Sequence, residues 1–135
     1  MNALLILSAW TQSAEAAPAL LVGEELSTES LDRKILKQLY TGTRTQLDGT
    51  RVDLILPNSG DETHTWFLEH IVGMRLANFE RTWTRRVLSG DGVEPRYLSS
   101  AEAVRYVTDH PFSMAIIDSD GIEDTGNIIL LDSLE

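Results

Sequence analysis

Cysteine is absent from this sequence of 135 residues, which excludes disulfides, zinc–thiolate sites and cysteine nucleophiles. Basic residues are also scarce, because eleven Lys and Arg stand against twenty-one Asp and Glu and give a net charge of −10. Affinity for nucleic acid depends on cations that neutralise phosphates, so this charge argues against nucleic acid as a partner. An anionic membrane surface is disfavoured for the same reason.

Recognisable catalytic motifs are missing as well. The three histidines belong to no Ser/His/Asp motif, and there is neither a GxSxG elbow nor a Walker glycine loop. No two histidines have the i, i+4 spacing that places both imidazoles on one helical face. The acidic run 118–124 does not fit a calcium loop, because its glycine falls at the fourth position and not at the sixth. We therefore expect no enzyme, no metal site and no cofactor.

The charges are unevenly placed along the chain. Residues 73–108 carry six arginines and four acidic side chains, whereas residues 109–135 carry seven acidic side chains and no basic one. A block of like charges is usually a solvated face. The alternative is that the basic middle of the chain faces an acidic protein partner.

The first sixteen residues resemble an export signal. They contain the apolar run Ala3–Leu7 and end in Ala14-Glu15-Ala16, the small-x-small form of a cleavage site. The run is too short to span a bilayer, so we expect no membrane insertion of the mature domain. No Lys or Arg precedes it, so the alternative is a first buried element of a cytoplasmic domain. We expect a signal peptide or its remnant at 1–16, a single domain at 17–135, and a periplasmic or secreted protein.

Apolar runs in the rest of the chain predict strands. They are Ala19–Gly23, Val52–Pro57, Met114–Ile117 and Ile128–Leu131. The last two are apolar enough to be covered on both faces of a sheet. A turn is predicted at Asp48-Gly49.

Four helices are predicted between these strands. The first is capped by Ser27 or Thr28 and stops at Gly42, and the second begins at Ser59 with the capping-box spacing to Glu62. The inward side chains of the second helix are expected to be Trp66, Phe67, His70 and Ile71. The third carries apolar residues at Leu76, Phe79, Trp83 and Val87 and leaves Arg81, Arg85 and Arg86 largely outside. The fourth starts at a second capping box, Ser99 to Glu102, and the whole pattern predicts one α/β domain.

The junction between the second strand and its helix, residues 57–64, is the strongest local candidate for a site. Free N–H groups and the helix dipole bind anions at such junctions. Here Asp61 and Glu62 place two carboxylates beside the glycine Gly60, with no Lys or Arg nearby in sequence. The residues alone therefore favour a well-capped helix over an anion pocket.

The order of these motifs resembles that of the phosphate-binding periplasmic proteins of ABC transporters and of their short stand-alone relatives. The resemblance rests on Leu36–Gly42 with Asp48–Val52, on Phe79–Gly92, and on Ser100–Ile117. It extends roughly over residues 18–131. It implies export and an α/β fold that forms one lobe of a periplasmic-binding-protein-like (type II) fold, with a mixed sheet flanked by helices.

The resemblance does not carry the phosphate site over. The family's phosphate loop uses an arginine, an aspartate and a Ser-Gly-Thr run, whereas this chain has Pro57 for the arginine and Ser59 for the aspartate. The run is replaced by Asp61-Glu62-Thr63, so that only Gly60 and Thr63 are retained. The candidate ligand-binding residues are Ser27, Thr28, Ser59, Gly60, Thr63 and His64.

The sequence leaves two functions open. The first is an exported solute-binding-protein-like domain with a degenerate anion site, which serves as a binding or accessory module. The alternative is a protein-interaction domain with no small-molecule ligand. Relatives close two lobes over a ligand and this chain is long enough for one. A single lobe could still bind a small anion weakly, form a homodimer, or present its cleft face to a protein partner.

Overall fold

A computed structural model describes residues 17–120, 122 and 127–135. The predicted signal segment 1–16 lies outside these residues, as do Gly121, Glu123 and Asp124 of the acidic run. In chain order the elements are β1 (Pro18–Val22), α1 (Arg33–Tyr40), β2 (Gln46–Leu47), β3 (Thr50–Arg51), β4 (Asp53–Leu56), α2 (Glu62–Phe67), a π-helical segment (Leu68–Val72), α3 (Leu76–Leu88), β5 (Arg96–Tyr97), α4 (Ser100–Asp109), β6 (Ser113–Asp118), β7 (Ile128–Leu130) and a 3₁₀ turn (Leu131–Ser133).

The main sheet is mixed, which confirms the predicted α/β class. Its five strands have the order β5-β4-β6-β1-β7. Strand β4 is parallel to β5 and to β6, whereas β1 is antiparallel to β6 and to β7. The central strand β6 is buried from Ser113 to Ile117, as its apolar sequence predicted.

Successive side chains of a strand point to opposite sides of the sheet, so this sheet has two apolar faces. Helices cover both of them. On one face, Leu20 of β1 packs with Phe67 and Phe79 in the larger apolar cluster, which also contains buried residues of α1. On the other face, Leu21 packs with Val107 of α4 in a smaller cluster. The fold is therefore three layers with the sheet in the middle.

Strand β7 departs from the prediction that it is covered on both faces. Leu130 is 51% exposed, and Ile128 and Ile129 are half-buried. The reason is topological, because β7 pairs with β1 alone and so forms an edge of the sheet.

Two predicted helix starts are wrong, by four or five residues at α1 and by two residues at α2. Helix α1 is capped by Asp32, whose carboxylate accepts the Ile35 amide at 2.8 Å, and not by Ser27 or Thr28. Helix α2 is capped by Asp61, whose carboxylate accepts the Thr63 amide at 2.9 Å, and not by Ser59. In each case an aspartate nearer to the helix occupies the cap position. At α4, by contrast, the predicted capping box of Ser99 and Glu102 is confirmed.

The inward face of the second helix is also shifted from its prediction. Phe67 and Ile71 are buried as expected, but Trp66 is half-buried and His70 is exposed. The buried positions of α2 and the π-helical segment are Thr63, His64, Phe67, Leu68, Ile71 and Val72. Their spacing is regular, and two polar residues occupy places that the apolar pattern assigned to solvent.

Buried aromatic side chains bind the helices to the sheet. The Tyr40 hydroxyl lies 3.0 Å from the Ile55 carbonyl and 3.2 Å from the Met114 carbonyl, and the Trp83 indole N–H donates to the Tyr40 carbonyl at 2.9 Å. Burial raises the pKa of Tyr40 well above its ordinary value, so the hydroxyl stays a donor. Among the described residues, no helix has the length and apolar character needed to cross a bilayer.

Candidate functional site

The candidate site lies at the edge where the parallel strands β4 and β6 end, which we call the carboxyl edge. Ligands of open α/β sheets bind at this edge, where the order of the strands reverses. Strand β5 lies on one side of β4 and β6 on the other, so the reversal falls beside β4. Residues 57–64 follow β4 here, and residues 118–120 comprise the last residue of β6 and the two that follow it. The sequence-predicted loop therefore occupies the position that the fold reserves for ligands.

The loop at 57–64 forms a turn before α2. The Asp61 amide donates to the Asn58 carbonyl at 3.0 Å, and Gly60 has a φ of +90°. That left-handed conformation strains any residue with a Cβ, so glycine is required here by the backbone. Asn58, Ser59 and Gly60 are exposed to solvent, whereas Pro57 is buried at the end of the strand.

Both helix N-termini at this edge are closed by acidic side chains of the chain itself. The Asp61 carboxylate accepts the Thr63 amide of α2 at 2.9 Å. At α4, the Glu102 carboxylate accepts the Ser99 amide at 3.0 Å, and this hydrogen bond is the main cause that lowers the pKa of Glu102. An incoming anion would have to displace these carboxylates from the N–H groups that it needs.

The end of β6 adds more negative charge to the same edge. The Asp118 carboxylate accepts the backbone amides of Ala17 and Asp120, each at 3.0 Å. No Lys or Arg occurs in 57–64 or in 118–120. The described part of this edge is therefore a carboxylate-rich surface.

Two of the candidate residues lie beneath the loop and not on it. Thr63 and His64 are each 1% exposed, and neither Thr63 Oγ1 nor His64 Nε2 has a hydrogen-bond partner in the described residues. The His64 ring packs against Phe79 and Tyr97, at centroid distances of 6.3 and 5.9 Å. Burial lowers the pKa of His64 and outweighs the opposite effect of nearby carboxylates. This histidine is consequently a neutral core residue.

Ser27 and Thr28 lie at the opposite edge of the sheet, which we call the amino edge. Strand β1 is antiparallel to β6, and its last residue Val22 pairs with Met114 near the start of β6. Just beyond, the Glu25 amide donates to the Pro111 carbonyl at 3.0 Å. The structure thus brings Ser59, Gly60, Thr63 and His64 together. It leaves Ser27 and Thr28 a full strand length away.

A second polar cluster lies on the α4 side of the sheet. The Tyr106 hydroxyl donates to the Asp53 carboxylate, and Arg96 Nε lies 3.8 Å from the same carboxylate. The Arg96 guanidinium lies 4.9 Å from the Tyr106 ring centroid, and the His110 ring stacks on that tyrosine at 3.8 Å. Burial, followed by the bond to Asp53, raises the pKa of Tyr106. The cluster joins α4 to the first residue of β4, and we interpret it as structural.

The sequence did not point to a cavity at the amino edge that is bordered by arginines. Arg44 and Arg51 line it from a loop and a short strand, and Arg86 of α3 lines an adjoining cavity. In the sequence, the predicted turn at Asp48-Gly49 is the one sign that Arg44 and Arg51 lie close together. Both arginines are near the hairpin that β2 and β3 form around this turn. Among the described residues, no group of three His, Asp or Glu side chains could hold a metal ion.

Fold and site together define a single sheet-centred lobe whose carboxyl edge carries acidic side chains at the helix N-termini. Neither a protein-family model nor a curated protein matches the sequence. The structure is similar to that of a Clostridium perfringens protein assigned as a phosphate ABC transporter substrate-binding protein and solved with phosphate bound. The TM-score is 0.61 at 17% identity, over 89% of this chain and 46% of that chain.

This similarity shows the fold alone, because the sequence identity is too low to transfer a function. The chain spans less than half the length of that protein. It has the architecture of a single lobe of the periplasmic-binding-protein-like fold, a mixed sheet flanked by helices, which confirms the prediction from the sequence. The bound phosphate belongs to the relative.

Proposed function

We propose that this chain is a substrate-binding-protein-like domain that has lost the anion site of its relatives and acts as an exported binding or accessory module of a transport system. It performs no catalysis of its own. The observation that carries the proposal is the acidic cap of α2. Asp61 supplies the acceptor for the Thr63 amide at the position where an anion would otherwise bind.

The surrounding charge supports the same proposal. An arriving phosphate would meet Asp61, Glu62, Asp118 and Asp120 without a cationic anchor in either loop. Such an anchor normally supplies the charge-assisted hydrogen bonds that hold phosphate. A single lobe also leaves one side of the ion in water.

Thermal shift with phosphate tests this proposal. A ligand that binds the native state raises the melting temperature by mass action, so phosphate at about 5 mM should leave the wild-type melting temperature unchanged. The double variant Asp61→Ser/Glu62→Gly removes the carboxylates, and we expect a phosphate-dependent rise for it. The matched control Glu29→Gly/Asp132→Ser removes the same charge from exposed positions away from this loop and should show no rise.

The outcomes separate two causes. A phosphate-dependent rise for the wild type would contradict the proposal. If neither the wild type nor the double variant responds, the carboxylates of the loop are not what prevents binding, and a single lobe is insufficient to hold the ion.

Export is proposed from the sequence of residues 1–16. Expression of the full chain in a Gram-negative host, followed by N-terminal sequencing of the periplasmic fraction, should give a mature protein that begins at Ala17. Replacement of Ala14 and Ala16 by Leu should block that cleavage. A full-length cytoplasmic product from the wild-type chain would contradict export.

The alternative is a protein-interaction domain with no small-molecule ligand. It is favoured by exposed apolar side chains near the end of α3, since Leu88 is 82% exposed and Val93 is 76% exposed. Exposed apolar side chains beside arginines are typical of protein interfaces.

A further inference from the structure

A cavity of about 150 Å³ opens at the amino edge, beside the start of β4. Its buried wall is apolar and includes Leu39 and Trp83, which are 1% and 2% exposed. Its mouth is formed by exposed residues that include Arg44, Arg51, Asp91 and Val93, so two guanidinium groups and one carboxylate border it. We call this cavity the arginine pocket.

Arg86 extends the positive charge of the arginine pocket along α3. A Cβ added to Gly42, which lines the pocket, would lie 2.6 Å from Arg86 Cδ and 2.8 Å from Arg86 Nε. The arginine therefore lies directly across this glycine. Arg86 also lines an adjoining cavity of about 220 Å³ that shares Asp91 with the arginine pocket.

Among the residues that the structure describes, one arginine beside the pocket, Arg86, has an unpartnered donor, whereas Arg44 Nε donates to Gln38 Oε1 at 3.1 Å. Arg86 Nε is buried and has no hydrogen-bond partner in the described part of the chain. A buried N–H without an acceptor destabilises a protein, so such groups usually have a partner in the functional state. Within the described residues, the ion pair found is Arg96 with Asp53, and it does not involve Arg44, Arg51 or Arg86.

We propose that the arginine pocket binds a small amphiphilic carboxylate. Its carboxylate would accept hydrogen bonds from the arginines at the mouth, and its apolar body would pack against Trp83 and Leu39. A cavity of this volume accepts a benzene-sized group. Guanidinium and carboxylate match in geometry and form strong paired hydrogen bonds.

The apolar wall of the arginine pocket favours a carboxylate over phosphate or sulfate. Phosphate and sulfate carry oxygens on every side, so inside this cavity some of them would face apolar side chains without a hydrogen bond. A carboxylate attached to an apolar group exposes its oxygens at one end only. The arginine pocket lies at the amino edge of the sheet. Its proposed ligand is therefore a separate matter from the proposed loss of the anion site at the carboxyl edge.

Nuclear magnetic resonance of the isotopically labelled full chain tests this proposal, with benzoate and 3-methylbutanoate as probes. Saturable shifts should be confined to Gly42, Thr45, Gly92 and the Trp83 indole N–H. Benzamide, which has the same ring without the charge, and inorganic phosphate should give no saturable shift there. Shifts centred on residues 57–64 would overturn the proposal, as would equal binding of benzamide or no saturable shift with either carboxylate.

Arginine variants provide the second arm of the experiment. Arg51→Gln and Arg86→Gln should each weaken benzoate binding by about tenfold, the loss expected for a hydrogen bond between charged groups. Arg105→Gln removes the same charge from an exposed site on α4 and should leave the affinity unchanged. Since Arg51 is exposed, its variant is expected to fold even if Arg86→Gln does not. An equal weakening by Arg105→Gln would show non-specific charge attraction and overturn the proposal.

Discussion

His64 shows how the chemistry of one residue differs from what its sequence position suggests. It belongs to the strand-to-helix junction at 57–64 that the sequence marked as a candidate site, yet its side chain is buried against Phe79 and Tyr97. The charged groups that face it are Asp61 and Glu80, which oppose the effect of burial on its pKa without overcoming it. Its protonation therefore disfavours the folded state.

The resulting pH dependence has a definite sign. The pKa of His64 is lower in the folded protein than its ordinary value of 6.5, so the unfolded chain binds a proton more readily. Its contribution to stability is complete above 6.5 and is lost as the pH falls from 6.5 toward the folded pKa. Urea unfolding at several pH values between about 5 and 8 measures this slope.

Replacement of His64 by Phe should flatten that slope. The variant removes the titrating group and the unpaired Nε2, so we expect stability at neutral pH to be unchanged or to rise by up to about 1 kcal/mol. His70→Gln changes an exposed histidine and should keep the wild-type slope. An unchanged slope in His64→Phe would contradict the assignment of the pH effect to this residue.

Helix starts depend on which side chain reaches the first free N–H groups. At α4 the spacing of Ser99 and Glu102 was sufficient to predict the cap, since both hydrogen bonds of the box form. At α2 the same spacing of Ser59 and Glu62 gave the wrong cap, because Gly60 allows an additional turn and brings Asp61 to the cap position. Sequence spacing alone does not distinguish the two cases.

A pair of alanine variants tests the cap of α2. Asp61→Ala should destabilise the protein by about 1 kcal/mol, because it removes the acceptor of the Thr63 amide. Ser59→Ala should change stability by less than about 0.5 kcal/mol, because this exposed residue caps nothing. Chemical denaturation at neutral pH measures both, and the reverse order of effects would restore Ser59 as the cap.

Hydrophobic periodicity predicted most of the elements, and its failures are local. The strands β1, β4, β6 and β7 were found because each carries an apolar run. Strand β5 has two residues and no pattern of its own, so it escaped detection. Thr63 and His64 were misplaced because a helix stripe is assigned from apolar residues, and the tertiary fold buried polar ones instead.

At the scale of the whole molecule, the sheet separates two chemically different edges. The carboxyl edge carries Asp61, Glu62 and Asp118, whereas the amino edge carries Arg44 and Arg51, together with Asp91, at the mouth of a cavity. Sequence reasoning located the first edge through a strand-to-helix junction. It missed the second because these arginines meet Trp83 only through the tertiary fold. The net charge of −10 is a sum over the whole chain and does not indicate this difference between the two edges.

The central claim is the proposed loss of an anion site at the carboxyl edge, where Asp61, Glu62 and Asp118 lie. Isothermal titration of phosphate into the wild-type full chain tests it most directly. The account predicts no saturable heat up to about 5 mM phosphate, whereas saturable binding with a Kd near or below about 100 μM would contradict it.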